Sequence, residues 1–223
     1  MITAHFLELG IWNLKLLIVI FGINKTIPNM NWIDYSLAVL ITLPILATIV
    51  LGAFLAKSGK NAMGKPTIQP FFFFTGKFFL FIVWALFAFF ALFPKYRNMV
   101  PFLIQDDVPD VQKLLAAVFL IPANLIIVPA YLSMGLITHI GLPSGKHELR
   151  TSGIYKYSRN PMYASFIFLN TATFLYLPSI LLLVIMIYGM VVHHFIILEE
   201  EKYLESQFTD QYRNYKASVP RYL

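Results

Sequence analysis

Apolar stretches about 20 residues long alternate with short polar ones through this chain, and about 20 residues is what an α-helix needs to cross a hydrocarbon core of roughly 30 Å. Residues 34–56 and 71–93 are nearly unbroken apolar blocks and predict two strong spans. Residues 114–140 are also apolar but contain Pro122 and Pro129, which predict a kink or a freed carbonyl for neighbouring helices to satisfy. Residues 162–198 are too long for one crossing, and Pro178 divides them into two short helices, as in a hairpin. Residues 6–23 carry Glu8 and Lys15 and form the weakest segment, either a first span or a helix lying in the interface. The pattern predicts an all-α, polytopic membrane bundle of five or six spans, with a C-terminal helical hairpin and a cytosolic C-terminal helix after it. Barrel strands would need alternating segments of about ten residues, which are absent.

Composition agrees with an integral membrane protein. Of the 223 residues 58% are hydrophobic, 16% aromatic and only 13% charged, with a mean hydropathy of +0.70, well outside the range of soluble domains. There is no cysteine, hence no disulfide, thiolate metal site or cysteine nucleophile. The net charge of +6 comes without a basic stripe or binding motif, so it points to anionic lipid headgroups rather than nucleic acid. No basic stretch precedes the first apolar segment and no small-residue cleavage site follows it, so that segment is expected to be retained.

Loop charges give an independent check on the crossings. Lys57, Lys60 and Lys65, then Lys146, Arg150, Lys156 and Arg159, fall on one side under alternate crossing. The other side receives Lys95, Arg97 and Lys113 in loop 94–113, fewer per residue, and a nearly chargeless tip at Pro178. The positive-inside rule makes the first side cytoplasmic, and both termini with it.

Two polar blocks then share that side. The first is HELRTSGIYKYSRNPMY, residues 147–163, lying between two apolar segments. Gly153 reads as a turn, and Pro161 suits the first position of the next helix. That leaves free backbone amides near Met162 and Tyr163, which can bind an anionic group, and Arg159 can add a bidentate contact. Against this, Tyr155, Tyr157 and Tyr163 also read as interfacial aromatics, and Arg150, Lys156 and Arg159 as membrane anchors. The second block runs from Leu198 to Leu223 and opens with Glu199, Glu200 and Glu201 at a helix end. Carboxylates there oppose the helix dipole, so a cation is expected beside them, from a ligand or from a nearby Arg or Lys. The alternative is a helix that continues into water with a solvated acidic face, its Leu204, Phe208, Tyr212 and Tyr215 recurring at packing intervals. His193 and His194 lie within the last apolar segment and are functional candidates by position. Adjacent histidines diverge by about 100° on a helix, so no metal site is expected. Lys77, Asn124 and Asn170, also inside spans, read as interhelical hydrogen-bond partners.

The two blocks together resemble the isoprenylcysteine carboxyl methyltransferase and phospholipid methyltransferase superfamily of integral membrane enzymes, over about residues 147–223. The resemblance rests on His147, Leu149, Gly153, Tyr155, Arg159, Asn160, Pro161 and Tyr163, and after the hairpin on Glu200, Glu201, Leu204, Phe208, Tyr212, Tyr215 and Val219-Pro220-Arg221. It implies one membrane domain, with N-terminal helices over 1–140 and a cofactor-binding loop, hairpin and tail over 141–223. It also implies S-adenosylmethionine as methyl donor, bound between the loop block and the tail on the cytosolic face. His147, Leu149, Arg150, Tyr155, Asn160, Pro161 and Tyr163 would line the donor, and Glu200 or Glu201 would hold its polar end. A zwitterion joined through a sulfonium to a nucleoside calls for anion contacts, carboxylates and aromatic surface, which these residues supply.

The chain departs from the family pattern at several places. Asn160 stands where relatives usually have His, Ser165 near a common Gly, and Thr209 in place of the Gly after Phe208. The Arg that many relatives carry just before the paired glutamates, linked to acceptor recognition in the prenylcysteine enzymes, is missing from His193 to Leu198. The implied acceptor is therefore a lipophilic small molecule, whether prenylcysteine carboxylate, lipid or thiol, reached from the bilayer. Arg159 is the expected anion contact in catalysis, and His194 the expected proton acceptor should an amine be methylated. Two other readings stand beside it: an NADPH-dependent membrane reductase of the sterol reductase type, and a non-catalytic membrane protein retaining the fold.

Overall fold

A computed structural model describes residues 30–57, 65–99, 101–104, 107–134 and 149–223. The weak segment 6–23 lies outside the described residues, as do Lys60, Lys146 and His147. The described chain is all-helical: α1 (Trp32–Lys57), α2 (Pro70–Leu92), α3 (Asp110–Met134), α4 (Pro161–Tyr176) and α5 (Ile180–Ser218). Four of these, all but α4, are long and apolar enough to cross a membrane. At 16 residues, α4 is about 24 Å long.

The helix starts follow from local chemistry. The Asn31 side chain accepts hydrogen bonds from the amides of Ile33 and Asp34, both at 3.0 Å, and the Asp34 carboxylate takes the Asn31 amide at 3.1 Å, a reciprocal cap for α1. Pro70 and Pro161 open α2 and α4, where a missing N–H costs nothing. Ser179 caps α5 through the Leu182 amide, so Pro178 and Ser179 form the expected break after α4. The two prolines of the third helix do not end it, for α3 runs through both.

After Pro178 the second hairpin helix is longer than expected and runs directly into the expected C-terminal helix, the two forming one element of 39 residues with a kink, because the polar tail carries the helix on past the apolar stretch. Its only interruption is Thr209, at φ +40° and ψ −112°. A β-branched residue in that region is strained by about 1–2 kcal/mol, and glycine is not. Thr209→Gly is therefore expected to raise the melting temperature by about 2–4 °C in a detergent thermal-shift assay; a fall would mean the Thr209 side chain makes contacts that outweigh the strain.

Contacts between helices fix their directions. Lys113 pairs with Asp34 at 2.7 Å, Asn124 donates to the Leu40 carbonyl at 2.9 Å and Tyr131 meets Thr48 at 3.0 Å, so α1 and α3 run parallel. Phe166 packs on Trp84 and Tyr176 stacks on Phe87, so α2 and α4 run parallel as well. The antiparallel partner of α4 is α5, since Phe166 meets His193 and Tyr163 meets Glu200. The loops after α1 and α3 therefore emerge at one end together with the tail, as alternate crossing requires. At the opposite end Arg97 is buried against the Tyr176 ring and donates to the Tyr176 carbonyl, and Lys113 is engaged by Asp34. Two of that side's three loop cations are thus used inside the protein, which sharpens the charge asymmetry between the two ends.

The α2–α5 contact is tight at two glycines. A Cβ on Gly76 would sit 2.4 Å from a Val192 methyl carbon, and one on Gly189 would sit 2.4 Å from Leu80 Cγ. Gly76→Ala is expected to cost about 1–3 kcal/mol, seen as a lower melting temperature; an unchanged one would mean that Val192 can rotate away.

Candidate functional site

The loop block reaches α4 through a tight turn. Gly153 has φ +63°, a conformation that favours glycine, and a short 3-10 turn over Gly153–Lys156 follows. Tyr155 is buried, and its carbonyl accepts the Tyr215 hydroxyl at 2.7 Å, tying the loop to the tail. Burial, with Tyr215 and Glu200 nearby, pushes the Tyr155 phenol well above its ordinary pKa, so it stays protonated. Leu149 packs on the cluster of Tyr212, Tyr215 and Val219. Arg150 is half-buried, and its buried Nε has no hydrogen-bond partner among the described residues.

On α5 the two carboxylates and the two histidines sort by helical phase. Residues seven apart lie on nearly the same face, so His194 pairs with Glu201 and His193 with Glu200. The His194–Glu201 face holds the tail. Glu201 is buried and accepts from Arg159 at 3.0 and 3.3 Å and from Arg221 at 2.9 and 3.1 Å. Arg159 in turn donates to the carbonyls of Lys216 and Val219, and its backbone amide donates to that of Pro220. Asn160 sits at the α4 N-cap but caps nothing; its side-chain amide donates to Glu201 at 3.4 Å and to the Arg221 carbonyl at 3.2 Å. His194 stacks on Tyr222, with Nδ1 2.8 Å from its hydroxyl. Arg159, Asn160, Glu201 and His194 are thus brought together as a lock between loop and C-terminus.

The His193–Glu200 face turns inward, toward α2 and α4. Tyr163, near the start of α4, donates its hydroxyl to both Glu200 oxygens, at 3.2 and 3.3 Å. His193 is buried with its ring 5.4 Å from the Tyr163 ring and 5.2 Å from that of Phe166. Its Nδ1 lies 2.7 Å from the Gly189 carbonyl. A carbonyl only accepts, so Nδ1 carries the proton and Nε2 is left as the basic nitrogen. Lys77 from α2 reaches the same place, its Nζ 4.8 Å from the Phe73 ring centre and 5.9 Å from that of Tyr163, and within electrostatic reach of Glu200.

The three adjacent glutamates each have cationic company, although α5 runs on past them to Ser218, so mutual repulsion and burial rather than a helix end call for it. Glu199 pairs with Lys202 at 2.6 Å, Glu201 with two arginines, and Glu200 has Lys77 nearby without a direct bond. Sequence reasoning singled out the acidic run and Tyr163. It read Lys77 as a structural partner and chose His194 as the proton acceptor, whereas His193 is the histidine beside Tyr163 and His194 faces Tyr222; the period-seven relation to the glutamates was the signal available.

A polar cleft of about 530 Å³ also opens between loop and tail, lined in part by Thr151, Lys156, Gln211 and Asn214. It offers a cation and amides but no carboxylate, and it lies on the solvent side of Tyr215.

Residues 111–211, from α3 to the tail, match the phospholipid methyltransferase family. The chain is also 43% identical over 63 residues to an uncharacterised protein of Haemophilus influenzae, an alignment covering 28% of this chain and all of that protein. The matched family segment contains Tyr163, Glu200 and Glu201, while Lys77 and Arg221 lie outside it.

Proposed function

The chain belongs to the phospholipid methyltransferase family of membrane methyltransferases, and from that premise we propose that it moves the methyl group of S-adenosylmethionine to a lipophilic small molecule at the membrane. The observation that carries this reading is Glu200. Its half-buried carboxylate faces inward and, among the described residues, takes a hydrogen bond only from Tyr163, which leaves lone pairs for a ligand's cation or hydroxyls.

The remaining donor set fits the same molecule. Arg150 supplies a buried N–H that has no partner among the described residues for a carboxylate, and Tyr155 and Tyr163 supply aromatic surface for a sulfonium. When bound, S-adenosylmethionine provides an electrophilic methyl group, and the chain's task is to hold donor and acceptor at near-attack distance. Glu200 and Tyr163 orient the donor's polar end. Leu149 and Pro161 shape the loop around it, and His147 belongs to the same loop. Arg159, Asn160 and Glu201 act one step removed, by closing the tail over the loop. If the acceptor must lose a proton, His193 rather than His194 lies on the Glu200 face, with Nε2 left as its accepting nitrogen. The lysine-rich end of the bundle, with this site, faces the cytoplasm.

Calorimetric titration of the purified protein with S-adenosylmethionine and, separately, NADPH tests the reading. Saturable binding of the methyl donor alone is expected. Binding of NADPH alone would replace the proposal with the reductase, and binding of neither would favour a non-catalytic role.

A further inference from the structure

Lys77 offsets the charge of Glu200 across a gap with no direct bond, which leaves its own hydrogen-bonding capacity unassigned. It lies seven residues into α2 from the site end, about 10 Å along the helix, where an ammonium is expensive and calls for a partner. Helical side chains lean toward the N-terminus, and here that lean sets Nζ over Phe73, with Tyr163 on the other side. The two rings stabilise the cation, but neither fills its three hydrogen-bond donor sites. Among the described residues Lys77 makes no hydrogen bond and no ion pair. Glu200, the nearest carboxylate, is held by Tyr163. A lysine that merely snorkelled would turn outward to the headgroups, whereas this one is half-buried where α2 meets α4 and α5, beside the proposed donor site.

We propose that Lys77 is the specificity-determining residue for the methyl acceptor, binding an oxyanion, carboxylate or phosphate, on the head of an amphiphile whose apolar chain lies along α2 and α4. The proposal rests on the methyltransferase reading for its purpose but not for its test. The chain of such a ligand would pass Trp84, which is seven residues further along α2, packs on Phe166 and donates to Asn170 at 3.0 Å. Trp84 is therefore a built-in reporter once Trp12 and Trp32 are replaced by phenylalanine.

The probes are stearate brominated at mid-chain, the matching brominated alkyl phosphate and the matching brominated alkylamine, added to that single-tryptophan protein in nanodiscs of zwitterionic lipid. Saturable quenching by one or both anionic probes is expected, and which one quenches names the oxyanion. Lys77→Met should weaken it roughly tenfold or more, and Lys77→Arg should retain it. Equal quenching in Lys77→Met, or equal quenching by the amine, would overturn the proposal. The same variants are titrated with S-adenosylmethionine: because Lys77 also bears on Glu200, a change much smaller than the loss of quenching is expected in Lys77→Met, and a parallel loss would move Lys77 into the donor site and overturn the acceptor role. Absence of donor binding even with Lys77 intact would count against the methyltransferase reading alone.

Discussion

Glu201→Gln is expected to loosen the C-terminal tail while leaving the membrane helices in place. The native carboxylate is buried between Arg159, itself 8% exposed, and Arg221, and both bridges are 3.0 Å or shorter. Removing one member of such a group leaves uncompensated charge in a poorly hydrated place, at a cost of about 3–5 kcal/mol. Arg159 also carries three contacts to the tail backbone, at the carbonyls of Lys216, Val219 and Pro220, so its displacement would release the final turn of α5 and the Val219-Pro220-Arg221 segment together. Limited proteolysis should then clip the tail much faster than in the wild type, with a lower melting temperature. Wild-type rates of clipping would mean that the helix and its aromatic cluster hold the tail without the charges.

The neighbouring change, Glu200→Gln, is expected to do the reverse. Gln is isosteric, its carbonyl can still accept the Tyr163 hydroxyl, and no arginine depends on Glu200. The fold should be kept, with only a small fall in melting temperature as Lys77 loses the charge beside it. Binding of S-adenosylmethionine should weaken by roughly 30- to 150-fold, the equivalent of losing a charged hydrogen bond of about 2–3 kcal/mol. Calorimetry on the two single variants separates the roles cleanly. A Glu200→Gln protein that binds the donor as well as wild type would take this carboxylate out of the donor site, and a Glu201→Gln protein that stays fully folded yet loses the donor would put its neighbour there.

Much of the framework was legible in the sequence because it depends on local signals. Pro161 and Pro178 mark a helix start and a helix break through backbone chemistry that no tertiary contact alters, and Gly153 marks a turn that favours glycine. The apolar blocks and loop charges then bring both polar blocks to one end, as the helix directions do. What stayed hidden depends on which face of a helix meets which neighbour. The three consecutive glutamates are alike in sequence and differ only in phase: one meets a lysine in the next turn, one the interior, one the tail. Arg159 looked like a ligand contact because its tail partners, the carbonyls of residues 216, 219 and 220, are backbone atoms with no signature in side-chain identity. Thr209 was visible as a departure from the family pattern, but its positive φ was not, since threonine alone argues for regular helix there.

The most direct test of the central claim follows the methyl group itself. Membranes holding the full-length protein, incubated with S-adenosylmethionine labelled on its methyl, are extracted with organic solvent and counted, beside membranes holding Glu200→Gln. Label in the extract from the wild type, and a background level from the variant, is the expected result. Extractable label at equal levels from both would contradict the role given to Glu200, and none from either would contradict methyl transfer to a lipophilic acceptor.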